Sequence, residues 1–232
     1  SLARQWQAHG VRPAAVVGHS QGEIAAATAI GALSIEEGAR IVAVRSRLLA
    51  SLAGTGTMAS IPAPVSDVEE VLRKTPGAVD IAAVNSSRVT VVAGEVAAVD
   101  AAVAEFVARG VRAKRIPVDY ASHSAAVDAL HEPLLAELGT VECRSTDVPF
   151  HSTVLGAQVD TATLDAEYWF RNLRRPVRFA DVVRSLVRAG HRHVVEVSPH
   201  PVLTIAVEDL VDEADSAGAV TGTLRRDDGG QA

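Results

Sequence analysis

Short, wholly apolar runs alternate along the chain with segments in which apolar residues recur at helical spacing. Residues 1–10 predict a helix, and residues 14–17 predict a strand of the kind that is buried on both faces of a parallel sheet. An alanine-rich stretch, 24–30, predicts a second helix packed against that strand. Ser34 is a typical N-cap for a third helix that extends to about residue 53. This alternation is typical of an α/β core.

The pattern changes in the segment 57–123. It predicts the order β-α-β-β-α-β, which is the ferredoxin-like pattern, with strands at 58–61, 81–84, 89–92 and 111–118 and helices at 67–73 and 97–109. We therefore expect a small ferredoxin-like subdomain at 57–123. It interrupts a discontinuous α/β core formed by 1–56 and 124–232.

The α/β alternation then resumes. The pattern predicts helices at 124–138, 180–189 and 202–214 and strands at 148–152, 193–197 and 220–224. Residues 227–230 are expected to be a frayed end.

Composition narrows the function classes. Aromatic residues are only 3% of the 232, so the core must be built from Ala, Val, Leu and Ile. The apolar runs are far shorter than the ~20 residues of a membrane span, and no signal peptide is visible, so a cytoplasmic protein is expected. The one cysteine, Cys143, excludes an internal disulfide framework and a Cys-based zinc site. A net charge of −6 argues against nucleic acid as the main partner.

The sequence Gly18-His19-Ser20-Gln21-Gly22 matches G-x-S-x-G between a predicted strand and a predicted helix. This arrangement is the nucleophile elbow of an α/β-hydrolase-like parallel-sheet core, which is the fold that we predict. The sharp turn requires small residues because its backbone passes close to neighbouring strands. The backbone N–H of Gln21 is a candidate oxyanion-hole donor. The alternative interpretation is a glycine-rich turn without chemistry.

A serine nucleophile needs a base, and the chain has eight histidines. His123 follows the last strand of the insert, where the chain returns to the core and can face the elbow. Asp119 is a candidate third member of a triad. A Ser–His dyad, with the imidazole held by a backbone carbonyl, is equally compatible with the sequence.

The segment Gly18-His19-Ser20-Gln21-Gly22-Glu23 resembles the active-site motif of malonyl-CoA:acyl-carrier-protein transacylases. More closely, it resembles the acyltransferase domains of modular type I polyketide synthases. Arg45 stands at the family's spacing after Ser20, and Tyr120-Ala121-Ser122-His123 matches the motif of its catalytic histidine. Segments 148–154, 168–179 and 195–203 resemble its later motifs.

The resemblance implies ping-pong acyl transfer. Ser20 attacks an acyl-CoA thioester with His123 as general base in a Ser–His dyad, and the acyl group passes to the phosphopantetheine thiol of an acyl carrier protein. No bound cofactor and no metal are implied. The other partners are neighbouring synthase domains of a parent polypeptide, because the family's opening Gly-Gln-Gly-Ser-Gln segment, which supplies a second oxyanion donor, is not in this sequence. We therefore expect an interior fragment.

The resemblance also implies substrate roles. Arg45 would hold the free carboxylate of a malonyl-type acyl group, whereas an isolated helix arginine is usually solvated and Arg47 is expected at the surface. Tyr120 and Ser122, together with Gln21, are similar to the methylmalonyl-type pattern, because a phenylalanine at position 122 would fill the space that the α-methyl group needs.

The remaining assignments are weaker. His19 is assigned to substrate binding, and His200 is expected to shape the wall of the site. Four arginines could meet CoA phosphates or an acidic carrier protein, or could form a solvated face: Arg171, Arg174, Arg175 and Arg178. Two other functions stay open. One is a serine hydrolase, such as an editing thioesterase, and the other is an inactive fragment that only docks a carrier protein.

Overall fold

The computed structural model describes residues 1–227, so the predicted frayed end lies outside the described residues beyond Asp227. The first segment follows the predicted alternation, with α1 (Leu2–Ala8), β1 (Val16–Val17), α2 (Gly22–Ala29) and α3 (Ile35–Ala50). The side chain of Ser34 accepts a hydrogen bond from the backbone N–H of Glu37 at 3.0 Å. The predicted N-cap of α3 is therefore confirmed.

A four-stranded antiparallel sheet follows. Its elements are β2 (Thr57–Ile61), α4 (Val65–Leu72), β3 (Val79–Ser86), β4 (Val89–Gly94), α5 (Val96–Ala108) and β5 (Lys114–Ile116). The strand order is β3-β4-β2-β5, and each neighbouring pair is antiparallel. Val68 of α4 and Phe106 of α5 pack with Val92 of β4 in one buried cluster. The predicted ferredoxin-like subdomain is confirmed.

The rest of the chain contains more elements than the sequence predicts. A 3₁₀ turn (Ala125–Leu130) precedes α6 (His131–Leu138), β6 (Phe150–Ser152), β7 (Ala157–Val159) and a second 3₁₀ turn (Thr161–Thr163). These are followed by α7 (Ala166–Arg174), α8 (Phe179–Arg188), β8 (His193–Glu196), α9 (Thr204–Glu213) and β9 (Ala219–Gly222). The predicted helix at 124–138 is split, because Pro133 has no N–H to donate in a helix interior and is tolerated in the first turn of α6.

The strands of the core form two small sheets. β1 pairs with β6 in parallel, with Val16 opposite Phe150, and β7 adds an antiparallel edge that the sequence analysis missed. β8 and β9 form a separate parallel pair. The α/β fold class with parallel pairing in the core is therefore confirmed.

The four-stranded sheet β3-β4-β2-β5 also contacts the core directly. Ala83 of β3 forms a parallel bridge with Val177, and it shares a buried cluster with Phe179 and Leu210. This packing brings the carboxyl half of β3 close to the elbow. The division of the chain at 57 and 123 stays a prediction. Within residues 1–227, no helix is long and apolar enough to cross a membrane.

Candidate active site

The turn between β1 and α2 carries Ser20 in a left-handed backbone conformation, with φ of 55°. A Cβ at Gly18 would lie 2.1 Å from the backbone nitrogen of Glu23, so only glycine fits there. A Cβ at Gly22 would meet nothing within 4 Å. The close approach thus concerns one of the two motif glycines, and the atoms approached belong to the turn itself and the first turn of α2. The Gly18 carbonyl also accepts from Thr153 Oγ1 at 3.1 Å, directly after β6, so the turn lies beside the end of a neighbouring strand as well.

His123 lies directly against the Ser20 hydroxyl. The distance from Ser20 Oγ to His123 Nε2 is 2.7 Å, and His123 Nδ1 lies 2.8 Å from the backbone carbonyl oxygen of Arg175. A carbonyl can only accept, so Nδ1 carries the proton and Nε2 accepts from the serine. Burial, and then the positive charge of Arg45, lower the pKa of His123 to about 3. The imidazole is therefore neutral at pH 7, with Nε2 free to accept the hydrogen bond from the serine.

Asp119 is not oriented toward this pair. It is exposed, and its backbone carbonyl accepts from Gly54. The place of a triad acid at His123 Nδ1 is taken by the Arg175 carbonyl. Of the two arrangements left open by the sequence, the structure has the dyad geometry.

Arg45 is only 5% exposed, which excludes the solvated-helix alternative. Its Nη2 donates to Ser20 Oγ at 3.3 Å and its Nη1 donates to Asn172 Oδ1 at 2.6 Å, while its buried Nε has no partner among the described residues. Burial lowers the pKa of Arg45 to about 10, so the guanidinium remains charged at pH 7. Arg47, two residues along α3, is exposed and pairs with Glu137, as expected for a surface position.

The sequence analysis missed a buried polar network behind the serine. Glu23 is fully buried, and its carboxylate accepts from the Thr153 backbone N–H at 2.5 Å, from Tyr168 Oη at 2.7 Å and from Asn172 Nδ2 at 2.9 Å. Burial raises the pKa of Glu23, and these donors oppose the rise. The only signal in the sequence was that the members fall inside the motif segments 18–23, 148–154 and 168–179.

The structure places three further predicted residues at or beside the dyad. The backbone N–H of Gln21 at the start of α2 has no partner in residues 1–227, so it is free to donate to an oxyanion. Ser122 is buried and immediately precedes His123. Tyr120 is half-buried, and it is close enough to Arg45 to oppose the lowering of that residue's pKa.

His19 and His200 lie in different surroundings. His19 Nε2 is 2.8 Å from Asn85 Oδ1 on β3, and the ring packs edge-on against Phe179; burial lowers the pKa of His19. His200 is exposed, and its Nδ1 accepts from the backbone N–H of Arg226 at 3.1 Å. No hydrogen bond in the described part of the chain joins His200 to the Ser20 pair.

The arginine cluster does not form a single charged face. Arg174 pairs with Asp128, and Arg178 pairs with Asp181. Arg171 lies over the ring of Tyr168. In the described residues, no group of three or more His, Cys, Asp or Glu side chains could hold a metal ion.

Comparisons with known proteins identify the family of the chain. The family model described as "Acyl transferase domain" matches residues 1–232. The chain is 52% identical over 231 residues to the spectinabilin polyketide synthase system protein NorA' of Streptomyces orinoci. It is also 52% identical over 236 residues to the erythronolide synthase EryA3 of Saccharopolyspora erythraea. The two matches include 99% and 100% of this chain. They include only 6% and 7% of the length of the two relatives.

Solved structures match nearly the whole length of this chain. The acyltransferase domain from module 8 of the salinomycin polyketide synthase is similar with a TM-score of 0.95 and 47% identity. That match covers 99% of this chain and 54% of the other. A malonyl CoA-acyl carrier protein transacylase from Coxiella burnetii has a TM-score of 0.87 and 26% identity, and covers 96% of this chain and 72% of the other. The chain therefore belongs to the acyl transferase domain family, whose members in these comparisons include acyltransferase domains of modular polyketide synthases.

Proposed function

We propose that this chain transfers a malonyl-type acyl group, methylmalonyl in particular, from CoA to the phosphopantetheine thiol of an acyl carrier protein. The acyl group is carried in between as an ester on Ser20. The observation that carries the proposal is the position of the Ser20 hydroxyl, 2.7 Å from a neutral imidazole and 3.3 Å from a buried guanidinium.

The first half-reaction forms the ester. His123 Nε2 takes the hydroxyl proton as Ser20 Oγ attacks the thioester carbonyl carbon, and the free N–H of Gln21 donates to the oxyanion. The tetrahedral intermediate then collapses by breaking the C–S bond. The imidazolium of His123 returns its proton to the departing CoA sulfur, so the base is neutral again.

The second half-reaction runs the same steps in reverse with a new thiol. His123 Nε2 takes the proton of the phosphopantetheine thiol, the sulfur attacks the ester carbonyl, and the bond to Ser20 Oγ breaks as the hydroxyl is reprotonated. The Arg175 carbonyl keeps the His123 ring in one tautomer throughout, because its hydrogen bond to Nδ1–H does not change.

Arg45 provides the reason for a dicarboxylic acyl group. A carboxylate accepts two parallel hydrogen bonds from a guanidinium, and both Nε and Nη2 of Arg45 can be offered to it. A carboxylate there also neutralises a buried charge, which is costly to leave unpaired. A hydrolase for plain acyl chains has no use for such a group, so the buried Arg45 favours the transferase over the editing thioesterase.

The choice of methylmalonyl rests on the residues before His123. Ser122 is buried, and its small side chain leaves the space that a phenylalanine at this position would fill, which supports room for an α-methyl group. Tyr120 and Gln21 are the other contacts of the acyl pocket in this proposal. One methyl group contributes only ~1–3 kcal/mol of discrimination, so some malonyl transfer is expected. Other parts of this proposal are a cytoplasmic location and action beside neighbouring synthase domains.

The test is to incubate the full-length protein with equal malonyl-CoA and methylmalonyl-CoA and to weigh it intact. A methylmalonyl-sized adduct that is absent from Ser20→Ala supports the nucleophile and the extender choice. Arg45→Ala should lose the adduct and the matched variant Arg47→Ala should keep it. A malonyl adduct at least as abundant as the methylmalonyl adduct would refute the Ser122 argument alone. Release of free acid without transfer to a carrier protein would indicate the hydrolase, and carrier-protein binding without any adduct would indicate a docking fragment.

A further inference from the structure

Two opposite charges are buried behind Ser20 without touching each other. Glu23 is fully buried and Arg45 is 5% exposed, yet no ion pair joins them among the described residues. Between them lies Asn172, itself only 1% exposed. Buried opposite charges normally pair, because pairing is the main way to recover their lost hydration. Their separation by one neutral side chain therefore calls for an explanation.

The amide of Asn172 uses both N–H donors and its oxygen, and it has one possible orientation. Its Oδ1 accepts from Arg45 Nη1 at 2.6 Å, and its Nδ2 donates to Glu23 Oε2 at 2.9 Å and to the backbone carbonyl of Ser20 at 3.1 Å. A guanidinium cannot accept, and neither a carboxylate nor a carbonyl can donate, so exchanging the amide oxygen and nitrogen would break all three bonds. Asn172 thus joins the nucleophile turn, the cation and the anion in one rigid contact.

The residue type at this position decides how much positive charge Arg45 presents. An amide oxygen directs the guanidinium without cancelling its charge. A carboxylate of the same size would accept two hydrogen bonds from Arg45 and form a buried ion pair. A substrate carboxylate would then have to displace an internal one. Glu23 raises the pKa of Arg45 from a distance but forms no ion pair with it among the described residues, and its Oε2 accepts from Tyr168 and from the Asn172 amide.

We propose that Asn172 is a positioning and specificity-determining residue. It is a neutral spacer that directs Arg45 toward Ser20 and keeps Glu23 from forming an ion pair with Arg45. The spacer makes the enzyme select acyl groups that carry a free carboxylate over the same acyl groups without one. This inference rests on the proposed function of Arg45 and extends it to a residue that does not touch the substrate.

Methylmalonyl-CoA and propionyl-CoA form a matched pair of probes, because they differ only in the carboxylate. The measurement is kcat and KM for acylation of Ser20 in the full-length protein, followed by intact mass. Asn172→Asp should lower the preference for methylmalonyl over propionyl by about 10- to 100-fold, the range expected for loss of a hydrogen bond to a charged group. The loss should appear mainly as a higher KM for methylmalonyl-CoA, with propionyl-CoA changed much less.

Three variants make the result specific. Asn85→Asp makes the same change at the asparagine that faces His19, and it should alter the two rates alike. Asn172→Ala removes the contacts without adding charge, so a merely structural role would give it the same profile as Asn172→Asp. If Asn172→Asp does not fold, the double variant Glu23→Gln/Asn172→Asp keeps the number of buried charges and moves the negative one beside Arg45, and it should show the same loss of preference.

The outcomes separate the inference from the proposed function. If Arg45→Ala loses the preference while both the Asn172→Asp single variant and its double variant keep it, the spacer role is wrong and the carboxylate site stands. If Arg45→Ala keeps the preference, the carboxylate site is wrong and the spacer role fails with it. A loss in the Asn172→Asp variants that is absent from Asn85→Asp supports both.

Discussion

Replacing Gly18 by alanine tests the geometry of the nucleophile turn. The added Cβ would lie 2.1 Å from the nitrogen and 2.3 Å from the Cα of Glu23, and 2.4 Å from the carbonyl carbon of Gly22. All three are backbone atoms, so no side-chain rotation can relieve the contact. The turn or the first turn of α2 must therefore move, and Ser20 lies between the two.

The expected cost follows from that contact. Inserting a methyl group against rigid neighbours typically costs 1–3 kcal/mol, and a clash with backbone belongs at the upper end, so we expect a loss of about 3 kcal/mol in the free energy of unfolding. Misplacing a reacting group by about 1 Å can cost about 10²-fold in rate, so acylation of Ser20 should fall by at least that factor.

Gly22→Ala is the matched control for stability. Its Cβ meets nothing within 4 Å and Gly22 is the first residue of α2, so alanine should be neutral or should stabilise the fold by up to about 1 kcal/mol. The assay is urea unfolding of both variants, with single-turnover acylation measured for Gly18→Ala. Equal stabilities for the two variants, within about 0.5 kcal/mol, would refute the reasoning.

Two further predictions concern buried polar groups. The pKa of His123 falls from 6.5 to about 3 in the folded chain, so between those values the unfolded chain binds more protons and folding weakens as the pH falls. The free energy of unfolding should therefore drop by up to about 1.4 kcal/mol per pH unit below pH 6.5. His123→Gln should lack that part of the drop when urea unfolding is compared at pH 7.5 and 5.5. The same change with pH in the variant and in the unmodified protein would contradict this prediction. Tyr168→Phe removes a donor from the buried Glu23 carboxylate and should cost about 1–3 kcal/mol. Tyr120→Phe, at a half-buried ring, should stay within about 0.5 kcal/mol, and similar losses in the two would argue against the buried network.

Much of the fold could be predicted because its signals are local. Three of these signals depend on residues close together in the chain: the apolar run before Gly18, the cap at Ser34 and the order of helices and strands along 57–123. The strand β7 was missed because Ala157–Val159 is only three residues long, too short for its apolar-polar alternation to identify a strand. It exists because β6 offers it an edge.

The candidate site likewise contains residues that the sequence predicts and contacts that it does not. Ser20 could be predicted from a five-residue motif, and His123 and Arg45 from motifs whose spacing resembles that of a known family. The group that orients His123 could not, because the choice between Asp119 and a carbonyl depends on how α7 ends against the returning chain. The motif of His200 predicts a place at the wall of the site, and this stays a prediction, while the structure adds a hydrogen bond from the Arg226 N–H to its ring.

The sequence by itself determined the order of elements up to residue 123, the sharp turn at Ser20 and the kind of chemistry that the turn supports. Periodicity and motif spacing are properties of neighbouring residues. Tertiary structure alone decided the surroundings of Arg45. That side chain meets Asn172 across 127 residues, and Glu23 meets Tyr168 across 145. Periodicity shows which face of an element is buried, whereas the partner a buried polar group finds depends on which elements pack together.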